Sequence, residues 1–222
     1  MIQNQVSVRT GNTATPSVRH HVLTDAQIES IRKSILNLLS KVKRRGMNNV
    51  MHFLLKETDF FNTPSSNCGR HHNWRGGLAQ HAMETYVFLR NRFSQDQYDE
   101  ETLIICALFH DICKAEQYRW SSHRHRWVHR HHSSHHGSRS VQILRDKCHL
   151  ALKPVEILAI GNHMHKHEHE YYFTRGLLSY DDSALCRALV EADRRSAARS
   201  SLGGTGLDDF LMMFDSDVKA GL

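Results

Sequence analysis

Proline is scarce: the chain of 222 residues holds 3, beside 12 glycines. A collagen-like repeat or a proline-rich linker cannot be built from that supply. No apolar run approaches the roughly 20 residues that a membrane-crossing helix needs. Residues 1–9 lack the apolar stretch of a secretory signal. The five cysteines (Cys68, Cys106, Cys113, Cys148 and Cys186) are odd in number, widely spaced and without a CxxC pair. That pattern argues against a disulfide framework or a zinc finger. It suits small buried hydrophobes in a reducing, cytoplasmic compartment. Apolar residues make up 40% and charged residues 23%, enough for one compact domain with its own core and unlike a disordered composition.

Histidine is what the chain has in excess, 19 residues in all, seven of them within 121–136. Imidazole is the commonest side-chain metal ligand and general acid or base near neutral pH. The net charge of +6 favours anionic partners such as phosphates, nucleotides or nucleic acid.

Apolar spacing predicts an all-α protein with at most one small hairpin. Residues 1–23 read as a flexible arm, 24–200 as a helical bundle, and 201–222 as a tail whose apolar patch (Phe210, Leu211, Met212, Met213, Phe214) can form a docking helix. Thr24 to Gln27 has capping-box form, and Ile28, Ile31, Ile35, Leu38, Leu39 and Val42 follow at helical spacing. The basic run from Lys41 to Arg45 suits the C-terminal end of that helix, and Gly46 its stop. Further helices are expected over 48–57, 77–93, 100–115, 136–148, 154–163 and 182–199, with Pro154 in a first turn. Residues 60–74 read as a loop, and 118–132 as a hairpin or irregular loop.

The strongest local signal is His110-Asp111 at the end of the apolar run Leu103 to Phe109. A histidine and a carboxylate there are costly to bury unpaired, and a metal or a hydrogen-bond network removes that cost. His81 precedes the pair, and His136, His163 and Asp193 follow, at intervals of 26 to 30 residues, each on or beside an expected helix. A bundle can converge such side chains in its core.

In this order His81, His110-Asp111 and Asp193 resemble the H…HD…D signature of the HD-domain superfamily of metal-dependent phosphohydrolases. The resemblance spans about 60–198. The run from His71-His72 through Gly76-Gly77-Leu78 to His81 is similar to the entry of HD domains attached to 3′–5′ exoribonucleases and conjugative relaxases. His110 to Lys114 is similar to the HDxxK form. His136-Gly137-Ser138-Arg139-Ser140, Asn162-His163-Met164 and Glu191-Ala192-Asp193 resemble segments of small stand-alone HD proteins. The resemblance implies one or two divalent transition metals (Mn, Fe, Zn, Ni or Co) held by His81, His110, Asp111, His136, His163 and Asp193, with Asp111 bridging. It implies hydrolysis of a nucleotide or nucleic-acid phosphoester by phosphomonoesterase or phosphodiesterase chemistry, with Asp111 and Lys114 as catalytic residues. A phosphorylated small molecule and a nucleic acid are both open as substrate, and no membrane partner is implied. His72, Arg75 and Arg139 are candidate substrate contacts.

Rival readings stand beside these. His135 could replace His136 by a one-residue slip, Lys114 could cap a helix end, and His71 or His72 could simply pack the loop. The His- and Arg-rich stretch 119–132 reads as a solvated hairpin, an accessory metal tract, or a basic flap on which Trp120 and Trp127 stack nucleic-acid bases. The motif from His165 to His169 reads as a surface loop. Two other functions remain: a non-catalytic metal-stabilised nucleic-acid-binding or regulatory module, and an HD-type di-iron oxygenase.

Overall fold

The computed structural model describes residues 23–66, 70–93, 97–130, 135–164 and 180–201, with the side chains of 180–183 and 201 outside the description. The expected arm (but for Leu23), the tail patch and the motif from His165 to His169 lie outside the described residues. The elements run α1 (Asp25–Ser40), α2 (Met47–His52), α3 (Gly77–Arg90), α4 (Glu100–Phe109), α5 (Lys114–Gln117), β1 (Tyr118–Ser121), β2 (Arg126–His129), α6 (His136–Gln142), α7 (Pro154–Asn162) and α8 (Tyr180–Ser201). The protein is an all-α bundle with one antiparallel hairpin among the described residues, as the apolar spacing predicts. None of the described helices is long and apolar enough to cross a membrane.

Helix α1 starts where its capping box places it. Gln27 N donates to Thr24 Oγ1 at 3.2 Å, and Thr24 N to Gln27 Oε1 at 3.0 Å. Its stripe of Ile28, Ile31, Ile35, Leu38 and Leu39 is buried. Helix α4 is buried from Thr102 to Phe109 and lies at the centre, packed by α3, α7 and α1. Helix α8 closes the bundle over α3 and α7. Helices α2 and α6 each end in a wide i→i−5 turn, closed by Thr58 N to Phe53 O at 3.1 Å and Cys148 N to Ile143 O at 3.0 Å.

Two glycines permit contacts that any Cβ would block. A Cβ on Gly77 would lie 2.1 Å from the His72 carbonyl oxygen, and one on Gly137 would lie 2.4 Å from that of Ile160. The first seats the 60–74 loop against the start of α3. The second brings the start of α6, with His136, against the end of α7, with His163.

The expected single helix over 100–115 is broken after Phe109. Bonds from Ile112 N to Phe109 O, Lys114 N to Asp111 O and Ala115 N to Ile112 O all span three residues. This tightened turn brings two adjacent side chains to one side, with His110 Nε2 3.4 Å from Asp111 Oδ2.

Arg44, expected merely to suit a helix dipole, is a half-buried tie. Its guanidinium donates to both Glu156 oxygens at 3.0 and 2.9 Å, to Glu101 Oε2 at 2.8 Å and to the Ala151 carbonyl at 3.2 Å. Glu156 is fully buried and also accepts from Thr102 Oγ1 and Lys153 N. Glu156→Ala removes the fully buried anion and leaves the guanidinium to partly exposed Glu101, so a loss of about 3 kcal/mol, the low end for a broken buried pair, is expected. In thermal denaturation that is a fall in Tm of roughly 6–12 °C; a shift within 2 °C or so would mean that Glu101 and solvent suffice for Arg44.

Candidate metal centre

Five of the six expected ligands meet between α3, the α4–α5 turn, α7 and α8. His81 Nε2 lies 3.0 Å from Asp193 Oδ1 and 3.2 Å from His110 Nε2. His110 Nε2 lies 3.9 Å from Asp193 Oδ1. Asp111 joins with both oxygens. Its Oδ2 is 3.4 Å from His110 Nε2 and 3.7 Å from His81 Nε2, and its Oδ1 is 3.5 Å from His163 Nε2. Among the expected ligands the donor atoms form two sets, His81–His110–Asp193 and His110–Asp111–His163, and a third set, His71–His72–His81, adjoins them. Donors around one cation with bonds of about 2.1 Å sit roughly 3.0–3.4 Å apart when adjacent and up to about 4.2 Å when opposite, and the distances here span 3.0–3.9 Å, within that window.

The hydrogen bonds behind each ring decide where its lone pair points. His110 Nδ1 donates to the Ala107 carbonyl and His163 Nδ1 to the Ile160 carbonyl, both at 2.8 Å. A carbonyl only accepts, so each neutral ring leaves Nε2 bare. His81 reaches the same state through a relay. Its Nδ1 lies 2.8 Å from Ser196 Oγ, whose proton goes to Glu84 Oε2 at 2.9 Å. The Ser196 oxygen therefore accepts from Nδ1, and His81 Nε2 is bare. Three lone pairs converge on two carboxylates, an arrangement that repels itself and that a cation satisfies. Asp111 Oδ1 and His163 Nε2 are buried without a hydrogen bond among the described residues, which also fits a metal.

Electrostatics favour the neutral, ligating form at His81 and oppose it at His110. Burial pushes His81 down to about 3, against the pull of Asp193, and pushes half-buried His71 down to about 4, helped by Lys114. Burial alone would raise Asp111 and Asp193. Lys114 and His110 around the first, and His81 above all around the second, hold both below the usual carboxylate range. His110 is raised, because Asp111 and Asp193 outweigh its burial. Burial lowers His136.

A pH dependence follows for the metal-free protein. An unfolded chain protonates its histidines near pH 6.5, whereas folded His81 and His71 resist until about 3 and 4. The unfolded state binds more protons in that window, so stability falls as pH falls. His110 contributes with the opposite sign, and the two aspartates reinforce the loss once pH drops into the carboxylate range. We expect Tm in chelator to drop steadily from pH 7 to pH 4.5 or so; a flat or rising Tm would count against buried neutral imidazoles.

Glu84, Ser196 and Gln80 were not read from the sequence as functional. Glu84 is buried, accepts from Gln80 Nε2 at 2.9 Å, and lies 3.2 Å from His72 Nε2. Gln80 in turn accepts from Trp74 Nε1 at 3.0 Å. A signal existed: Glu84 lies three residues after His81, and Ser196 three after Asp193, one helical turn along the same face. Ser196→Ala frees the His81 ring to turn. Metal affinity should fall about 10–100-fold with the fold intact, as titration with Mn or Zn would show.

The other expected residues are placed as follows. Half-buried His136 opens α6, with Nδ1 3.0 Å from the Gln117 side-chain amide; it belongs to none of the donor sets. Exposed His135 stands beside it. Lys114 does not cap a helix end, for its Nζ donates to Asp111 Oδ2 at 2.5 Å and it is buried. His72 is fully buried, so it faces Glu84 and the His81 ring instead of solvent, while half-buried His71 packs on His81 with centroids 5.2 Å apart. Exposed Arg75 binds Asp25 and Asn62, and Arg139 binds Glu116 and Gln142, so each guanidinium is already engaged by the protein.

An all-α bundle that gathers histidine and aspartate from successive helices onto one buried point is a helical domain with a donor set able to hold metal. The family model described as the HD domain matches residues 78–198, more than half of the chain. No curated protein and no solved structure matches it. The chain belongs to the HD domain family, whose superfamily is that of metal-dependent phosphohydrolases.

Proposed function

We propose that this protein is a metal-dependent phosphohydrolase acting on a nucleotide or nucleic-acid phosphoester. The observation that carries the reading is the convergence of three bare Nε2 lone pairs and two carboxylates, with the buried Lys114 ammonium on Asp111. His81, His110 and Asp193 would hold one divalent transition metal. Asp111 and His163 would hold a second, with Asp111 turning one oxygen to each donor set and half-buried His136 completing the second. Bound divalent metals polarise a phosphoryl oxygen and make water acidic enough to attack at neutral pH. Asp111 keeps its charge because Lys114 and His110 face it. The Ser196–Glu84 relay fixes the His81 ring, and the Ala107 and Ile160 carbonyls fix His110 and His163. Lys114 carries the ammonium best placed to steady charge that develops on a phosphate oxygen. The free thiols of Cys106, Cys113, Cys148 and Cys186 support a reducing, cytoplasmic setting.

The test is metal analysis of the purified full chain, followed by phosphomonoester and phosphodiester panels with added Mn. Hydrolysis that tracks metal content supports the reading. Full metal occupancy with no phosphoester cleaved would leave a non-catalytic binding module.

A further inference from the structure

We propose that the β1–β2 hairpin is a docking platform for a single-stranded polynucleotide, which it delivers to the His/Asp cluster. The delivery step rests on the phosphohydrolase reading; the binding surface does not.

The hairpin grows directly out of the cluster. Helix α5 begins at Lys114 and runs straight into β1. Arg130 N donates to the Gln117 carbonyl at 2.6 Å and closes the base of the hairpin. The Gln117 side chain holds His136.

Strand register then sorts the side chains. Tyr118 pairs with His129, Arg119 with Val128, Trp120 with Trp127, and Ser121 with Arg126. Alternation puts Tyr118, His129, Trp120 and Trp127 on one face. Ring contacts agree, with centroids 4.9 Å apart for Tyr118 and His129 and 6.0 Å for Trp120 and Trp127. An aromatic ladder thus leads outward from the metal ligands. Trp120 at its outer end is 52% exposed, one of two large hydrophobics so exposed among the described residues.

The charge names the occupant. Residues 117–145 contain no Asp or Glu. Arg119, Arg124, Arg126 and Arg130 are exposed, Arg119 and Arg126 on the opposite face of this narrow two-stranded ribbon, where their long side chains flank its edges, and among the described residues none of these guanidinium groups lies in an ion pair. An apolar protein partner would have to cover those cations unpaired. A duplex offers phosphates but keeps its bases stacked away from the tryptophans. A single strand offers both, and cationic grooves with stacking aromatics are the general solution for binding it. RNA and DNA share this chemistry.

The test is fluorescence anisotropy with the full chain as purified, without added Mn. The probes are labelled oligo-dT and oligo-U of about 15 nucleotides and a duplex of equal length, each confirmed intact afterwards. Both single strands, or one of them, should bind more tightly than the duplex. Trp120→Ala should weaken binding about 5- to 150-fold, and Trp120→Phe should recover most of it. Arg119→Gln with Arg126→Gln should lower the slope of log affinity against log salt by about 0.7 for each phosphate that is no longer neutralised. The proposal is overturned if the single strands do not bind at low salt, if the duplex binds as tightly, or if Trp120→Ala binds like the wild type. Hydrolysis of bis(4-nitrophenyl) phosphate with Mn separates the two readings. Cleavage of that diester without oligonucleotide binding sinks the platform alone. Tryptophan-dependent binding with no phosphoester cleaved upholds the surface and sinks the catalytic reading.

Discussion

Asp111→Asn should remove both metals and reduce Mn-dependent phosphoester hydrolysis to background. The substitution keeps the shape of the side chain and deletes its charge. That charge faces both donor sets, Oδ2 toward His81 and His110, and Oδ1 toward His163. The loss of affinity should exceed the roughly 10–100-fold cost of disturbing a supporting residue. Stability of the metal-free protein should fall as well, because the buried Lys114 ammonium loses its anion. Removing one partner of a buried pair costs about 3–5 kcal/mol. Metal analysis and thermal denaturation on one preparation read both effects. A variant that retains two ions would end the bridging assignment. His163→Ala provides the contrast: it should lose the second ion and keep the His81–His110–Asp193 set. His136→Ala should lose mainly the second ion too; if stoichiometry and activity survive, His136 serves only to hold Gln117.

The helices were legible because each apolar stripe has a face to bury. The Thr24 to Gln27 box and the Ile28 to Leu39 stripe lead directly to α1. The end of α4 was not legible. Leu103 to Phe109 continues into Ile112, Cys113 and Ala115 with no Gly or Pro to interrupt it, so periodicity runs on through the break. The turn at His110 follows from tertiary demands, since both side chains of the pair must reach the bundle centre. The ligand candidates were visible as residue types at even spacing. Their lone-pair directions were not, because these depend on Ala107 and Ile160 carbonyls and on a serine and a glutamate from two different helices. Arg44 shows the same limit. A cation at a helix end looks like dipole compensation, and only the fold reveals the fully buried Glu156 that it must neutralise. His71 and His72 are adjacent in sequence, yet one is half-buried on the cluster and the other sealed against Glu84. A left-handed backbone at His72, with φ of 49°, sets the two rings edge to face, with centroids 5.7 Å apart.

Lys114 separates chemistry from support. Its ammonium lies 2.5 Å from Asp111 Oδ2, is buried, and is raised above the ordinary lysine range because Asp111 outweighs the cost of burial. It is therefore charged at any pH at which the cluster can bind metal. A positive charge beside a metal ligand opposes the arrival of a cation. Lys114→Met, which keeps the length and removes the charge, should thus bind Mn no more weakly than the wild type. Turnover should nonetheless fall about 10²–10³-fold, the cost of deleting one donor aimed at developing oxyanion charge. The fall should appear in kcat more than in KM, since the contact strengthens as the phosphoryl oxygens gain charge. Lys114→Arg should recover only part of the rate, because a planar guanidinium does not fit a space that leaves the lysine 8% exposed. Metal content and steady-state kinetics on the same preparations decide between the roles. Full metal with near wild-type turnover would leave Lys114 as the counter-ion of Asp111 and nothing more. Weakened metal binding would mean that the ammonium orients the Asp111 carboxylate, and that this orientation is worth more than the repulsion it brings.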